Sequence, residues 1–309
     1  MSASVLFDAP GPKARRRNLI LGVIGCLIVA AVLGLAIWKL ADKGQFDSYK
    51  WKPFTTASLW QNYILPGLRG TLIAAALAVV ISAVFGGILA ILRLIELPPR
   101  SSGAHYPVLA IKWLVGAWVE VTRAIPVLLM MLFIFGVLSA NGMGSGNGPL
   151  IATVGGLVFY NSAVICEVIR AGVGQLPNGQ REAGLAVGLS AGQTVRLILL
   201  PQAITAMLPS LISQLIVVVK DTALGYNVLY GELLYTSKPA TANNGNIFAM
   251  LVVIAAIYIA INYAISKFAE WVEHRLQQRG RTAGGPADAD TNLGGPSTVA
   301  PVAGGPAGQ

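Results

Sequence analysis

Charge is scarce in this chain. Only 11% of its 309 residues are Asp, Glu, Lys or Arg, against roughly 25% in an ordinary soluble domain, which excludes a water-soluble globule as its main body. The residues of metal and disulfide chemistry are scarce too. Cys26 and Cys166 are the two cysteines, His105 and His274 the two histidines. Both cysteines lie in apolar runs, so no disulfide framework or metal site is expected, and each reads as a small buried hydrophobe. A phosphate-cradling loop is missing as well: the glycine-dense stretch 141–148, NGMGSGNG, is followed by no Gly-Lys-Ser/Thr, so it reads as a flexible connector. GLSAG at 188–192 has the spacing of a nucleophile elbow around Ser190. That chemistry needs a strand-to-helix turn, a His base and an orienting acid, and the surroundings offer none of them. No catalytic residue and no metal ligand is expected.

What the chain has in quantity is apolar sequence: 55% hydrophobic residues and a mean hydropathy of +0.66. A bilayer-crossing helix needs about 20 mainly apolar residues. Six segments qualify, at about 19–40, 66–92, 113–138, 150–170, 196–219 and 247–269. The first follows the basic KARRRN and ends in IWKLADKG without a small-residue cleavage pattern, so it is expected to be a retained anchor and not a signal peptide.

Six crossings put both termini on one side. With that side taken as the cytoplasm, 14 Lys and Arg fall inside and 7 outside, and Arg123 lies within a span. This bias supports cytoplasmic termini. The positive charges flank the apolar segments and form no stripe, so the net charge of +9 reports membrane orientation and no nucleic-acid partner is expected. Residues 1–18 form a basic cytoplasmic start and 41–63 an external loop. From about 276 the chain is rich in Gly, Pro and Ala, and a disordered cytoplasmic tail is expected to 309.

Between the fourth and fifth spans lies a segment that is neither apolar nor long enough to cross: PNGQREAGLAVGLSAGQTVRLILLP, residues 177–201. Residues 180–189 can form a short surface helix with Leu185, Ala186 and Leu189 on its apolar face, and Ser190, Gly192 and Gln193 break or turn it. The spacing resembles the EAA motif of ABC-importer permeases: Glu-Ala-Ala, three residues, Gly, nine residues, Ile, any residue, Leu-Pro. Glu182, Ala183, Gly188, Ile198, Leu200 and Pro201 fall in place, and Gly184 stands where the third Ala usually is.

The resemblance covers about 64–275. GLRGTLIAAALAVV is similar to the family's first core helix, VEVTRAIP to its Glu-x-x-Arg-x-x-Pro element, and EVIRAG, LPQAI and VVKDTAL to the polar-amino-acid branch that imports glutamine, histidine, arginine or glutamate. It implies an all-α polytopic membrane protein: a five-helix type I importer core, with the helix at 19–40 as an addition. It implies that 177–195 is a coupling helix docking on an ATP-hydrolysing partner, with Arg181 and Glu182 at that contact. ATP and Mg would then be bound by the partner, and this chain would bind no cofactor of its own. The implied partners are an ATPase dimer, a second permease (identical or sister), an external solute-binding protein, a polar amino acid and membrane lipid. The setting would be the plasma membrane.

Charged groups within spans are functional candidates by default. Glu120 and Arg123, at i and i+3, can share a helix face and pair, or contact a substrate; Glu167 and Arg170 have the same spacing. Lys220-Asp221-Thr222 follow an apolar run and precede Gly225. They mark either the outer end of the fifth span or a helix break that offers polar backbone to a ligand. By resemblance, Asp221, Gln214 and an aromatic near Phe159 correspond to an amino-acid pocket. There Asp221 would meet the α-ammonium, and the uncharged Gln214 tilts the choice towards a neutral or acidic amino acid. Val164 and Cys166 depart from the family's usual Tyr and Ala. An ion-coupled secondary carrier is the alternative class, but it calls for inverted repeats, and no internal repeat is visible.

Overall fold

The computed structural model describes residues 11–283, except for the side chains of 243, 244, 274 and 276–283. The expectation of disorder over 284–309 lies outside the described residues. Among those described there is helix and no strand. Five helices are long and apolar enough to cross a bilayer, or six crossings if one bent pair counts as a single span.

Helix α1 spans Pro12–Asp42. Proline opens it without loss, because the first helical N–H has no intrahelical partner anyway. The basic run 13–17 is therefore helical rather than part of a separate start. None of α1's residues is buried. Cys26 is consequently exposed, against the expectation of burial, whereas Cys166 is buried. The expected external loop is itself largely helical: a turn at Ser48–Trp51 and a 3₁₀ turn at Lys52–Thr55 lead into α2, which starts at Ala57 and runs to Leu94.

Helix α2 packs through a stripe of small residues. Ala74, Ala78, Ser82, Gly86 and Ala90 recur every fourth position and all are buried. A β-carbon on Gly86 would lie 2.6 Å from the Ser162 carbonyl oxygen, so this close backbone approach to α5 (Gly148–Gly174) depends on glycine. Small interfacial residues of this kind are how helices gain packing contact where lipid removes the hydrophobic drive. Helix α5 is the axis of the bundle, with fifteen of its residues buried.

The expected third span, 113–138, is not one helix. Helix α3 (His105–Ala124) and helix α4 (Val127–Ala140) meet at a 100° bend. The cause is Pro126, which forces the residue before it out of the helical region; Ile125 sits extended at φ −88°, ψ 128°. Two other prolines are accommodated. π-Helical turns at Trp60–Ile64 and Val195–Leu199 come just before Pro66 and Pro201. A proline lacks the N–H and crowds the carbonyl four residues back, and a widened turn relieves both problems.

The remaining elements are α6 (Asn178–Ala186), α7 (Ala191–Val228, closing in a 3₁₀ turn over Thr222–Val228), α8 (Leu233–Asn244) and α9 (Ile247–Ala283). Helix α9 continues past 276, where a disordered tail was expected to begin. Apolar cores form at three levels: around Leu89, Val119 and Cys166 near α6; around Met131, Leu157 and Val218 in the middle; and around Ile64, Leu233 and Met250 at the other end.

Candidate coupling element and substrate path

Residues 177–201 fold into a compact helical hairpin whose turn is closed by its own backbone. Helix α6 ends at Ala186 with Val187 as its cap, and Gly188 follows at φ +86°. The Gly188 N–H donates to the Leu185 carbonyl at 3.0 Å and the Leu189 N–H to the Gly184 carbonyl at 3.2 Å. This is the Schellman pattern, in which a left-handed glycine satisfies the last helical carbonyls. Two residues on, Ser190 opens α7 with a capping box: the Gln193 N–H donates to Ser190 Oγ at 3.3 Å and the Ser190 N–H to Gln193 Oε1 at 2.8 Å. The helix therefore stops at Gly188, earlier than the expected break at Ser190–Gln193. The Ser190 hydroxyl, noted for its nucleophile-elbow spacing, serves as a helix cap.

The two arms of the hairpin touch at Gly184. It is buried, and a β-carbon there would lie 2.6 Å from Thr194 Cγ2 and 3.1 Å from Ile198 Cδ1. The departure from alanine at this position is thus matched by the neighbours that fill the space. Ile198 faces inward at this contact, Leu200 packs at the edge of the core near α6, and Pro201 follows the π turn. Outward, the hairpin presents Glu182, Ala183, Leu185 and a Val187 that is 77% exposed. Gln202 Nε2 donates to Gln180 Oε1 at 3.2 Å and joins α7 back to α6.

One ion pair ties the hairpin to the bundle, and others join the helices beside it. Arg181 pairs with Glu96, just beyond the end of α2. Arg93 Nη1 lies 2.7 Å from Glu167 Oε2, and Arg170 Nε donates to Glu167 Oε1 at 2.9 Å. The expected Glu167–Arg170 pair is therefore present, with Arg93 from α2 as a third member. Glu120 and Arg123 do not pair with each other: among the described residues neither lies within ion-pair distance of the other, and both are exposed. Side chains at i and i+3 can meet, but here Arg123 acts on Glu167 and Glu120 on Arg170, across to α5.

The expected pocket residues sit on two packed helices. Gln214 Nε2 donates to Asn161 Oδ1 at 2.5 Å, and the buried Asn161 in turn donates to the Leu157 carbonyl. Phe159 makes an edge contact with Trp118 of α3, with ring centroids 5.5 Å apart. Asp221, seven residues after Gln214, lies on the same side of α7, about 10 Å along it. Lys220 is exposed. Thr222 is buried, its hydroxyl donating to the Val219 carbonyl at 2.7 Å. Gln214 and Asn161 meet, whereas Phe159 faces a different neighbour. At 220–222 the α-helical part of α7 ends at Asp221 and the chain tightens into a 3₁₀ turn over Thr222–Val228, in which Gly225 lies against Thr153 of α5.

Sequence reasoning overlooked Glu232. It is fully buried, caps α8 by accepting from the Leu234 and Tyr235 N–H groups at 2.8 and 2.7 Å, and accepts from the Tyr258 hydroxyl at 3.0 Å. Burial pushes its carboxyl above the ordinary value, against the pull of those donors. The available signal was a lone acid inside VLYGELLY, a largely apolar stretch.

A bundle of bilayer-length helices with one stiff polar hairpin held at its end defines a class: a multi-pass membrane transport subunit. Comparison with known proteins narrows it. The chain belongs to the family described as binding-protein-dependent transport system inner membrane component, whose pattern matches residues 101–278. Members of this ABC-importer permease family work with a separate ATPase and a binding protein. The chain is similar to the glutamate transport system permease protein GluD of Corynebacterium glutamicum, at 39% identity over 77% of this chain and 84% of that one. It is 30% identical to the glutamate/aspartate import permease protein GltK of Escherichia coli, over 69% of this chain and 93% of that one, and 31% identical to the probable glutamine ABC transporter permease protein GlnP of Bacillus subtilis, over 71% and 94%. Among solved structures it is similar to an amino acid ABC transporter crystallised with histidines, with a TM-score of 0.60 and 28% identity over 69% of this chain and 93% of that one. The inward-facing methionine transporter MetNI shares the fold, with a TM-score of 0.59 at 19% identity over 71% and 98%.

Proposed function

We propose that this chain is the membrane-spanning permease subunit of an ATP-driven importer for a polar amino acid, with glutamate the first candidate and glutamine the second. The observation that carries the reading is the 177–201 hairpin, a rigid polar element whose outward face holds Glu182, Leu185 and Val187. An ATPase groove gripping that face would push on α5 and α7 together, because the hairpin follows α5 along the chain and continues into α7. ATP and Mg belong to the partner ATPase dimer, and this chain catalyses no covalent change. A second permease, identical or sister, completes the pathway, a binding protein delivers the solute outside, and both termini face the cytoplasm.

Two lines support the substrate. The relatives are named for glutamate, aspartate and glutamine. Gln214, which is uncharged, is hydrogen-bonded to Asn161, leaving no fixed anion there to favour a cationic side chain. Asp221 holds the α-ammonium, with Phe159, Lys220 and Thr222 as further candidates along the path, and Glu120 and Arg123 as weaker ones. Radiolabelled glutamate uptake by cells expressing the full transporter, with and without competing amino acids, tests it. Uptake that unlabelled glutamate and glutamine fail to reduce overturns the substrate; uptake independent of any ATPase partner overturns the mechanism.

A further inference from the structure

Beside α6, a cavity of about 580 Å³ opens between four helices. Each helix contributes one cation to its wall: Arg93 from α2, Lys112 from α3, Arg170 from α5 and Arg181 from α6. Two carboxylates answer them. Glu167 is shared by Arg93 and Arg170, and Glu96 pairs with Arg181. Four positive charges against two negative leave the cavity two charges positive. Lys112 carries part of that surplus: its ammonium donates to the Ile95 carbonyl at 2.6 Å, and no carboxylate among the described residues reaches ion-pair distance of it. Each guanidinium has five N–H donors, and the ion pairs occupy only some of them.

Glu96 and Asn178 also line the wall, and apolar side chains, Leu94, Leu97, Leu176 and Leu199, stand beside the cations. A cavity of that mixed character, at the ends of membrane helices, suits a group with a multiply charged head and an apolar neighbour. Convergent Arg and Lys donors match the oxygens of a phosphate better than a single carboxylate, which would leave one positive charge unanswered.

We propose that this cavity binds a phosphate group, held by Lys112 together with the spare donors of Arg93, Arg170 and Arg181. Two sources share that chemistry: the headgroup of an acidic phospholipid, and soluble phosphate. The site is independent of which amino acid the transporter carries.

The test uses the assembled transporter containing the full chain, as wild type, Lys112→Gln and Lys112→Arg. Lys112 has no carboxylate partner among the described residues, so its neutralisation breaks no ion pair seen there. In one arm the complex sits in nanodiscs of phosphatidylcholine with phosphatidylglycerol, and retained lipid is counted by native mass spectrometry. In the other it is in detergent, titrated with inorganic phosphate against chloride at equal ionic strength, and the thermal midpoint is followed. A basic residue is worth about 1 kcal/mol to such a headgroup, so Lys112→Gln should weaken retention or phosphate affinity roughly fivefold, and Lys112→Arg should restore it. An effect confined to the lipid arm assigns the headgroup; an effect in the phosphate arm assigns the soluble ion. Wild type that prefers neither, or Lys112→Gln that matches wild type in both arms, overturns the site.

Discussion

Gly184 and Thr194 face each other across the hairpin so closely that one added methyl has nowhere to go: a β-carbon on Gly184 would lie 2.6 Å from Thr194 Cγ2 and 2.9 Å from its Oγ1. Thr194 is short, branched and buried, and cannot swing aside. Gly184→Ala should therefore destabilise the hairpin by about 1–3 kcal/mol, as overpacking does. Adding Thr194→Ser, which removes the clashing methyl, should recover much of the loss. Thermal unfolding of the two variants checks this, and a single Gly184→Ala as stable as wild type would contradict the packing described.

Gly188 is constrained by its backbone and not by space, since nothing lies within 4 Å of where its β-carbon would be. A β-branched residue at φ +86° should cost about 1–2 kcal/mol locally, whereas Asn tolerates the left-handed region. Gly188→Val should thus reduce ATP-coupled uptake several-fold and Gly188→Asn should largely keep it. ATPase activity and uptake measured together on the same proteoliposomes give the comparison.

Glu167 answers two arginines from two helices. Glu167→Gln should destabilise the bundle more than Arg170→Gln, because it strands both Arg93 and Arg170 beside one another while the latter leaves the Arg93–Glu167 bond at 2.7 Å intact. Denaturation midpoints in detergent rank the two; equal losses would count against a shared role for Glu167.

For Glu232 the pH dependence has a definite sign. Burial raises its carboxyl, so the stability linked to it is complete below the ordinary carboxylate range and is lost as pH climbs through the raised value. Wild type should lose thermal stability across that window relative to Glu232→Gln. Glu232→Ala, which takes the acceptor away from the Leu234 and Tyr235 N–H groups, should cost about 1–3 kcal/mol at any pH. Parallel pH profiles for wild type and the Gln variant would remove the charge from the explanation.

Asp221→Ala should abolish amino-acid uptake while the subunit still assembles with its partners, measured by co-purification. Wild-type uptake by this variant would take Asp221 out of the pathway.

Much of the architecture could be read from the residues. The apolar runs and the Glu182 to Pro201 spacing act through hydrophobicity and short-range geometry, both local properties. Pro126 carried the information for the break between α3 and α4, yet the apolar run on both sides masked it. The link between Arg93 and Glu167, 74 residues apart, and the burial of Glu232 beneath α8 arise only when distant helices meet. The hairpin's inner contact was hidden for a different reason: Gly184 reads as a missing methyl until Thr194 is seen filling the gap.

The Schellman turn at Gly188 and the capping box at Ser190 lie within two residues, so the tip of the hairpin holds its shape using only its own atoms. A partner that seats on it would find a surface already folded and would spend little of its binding energy ordering a loop. Movement arriving at the tip would pass to α5 and α7 instead of being lost in slack.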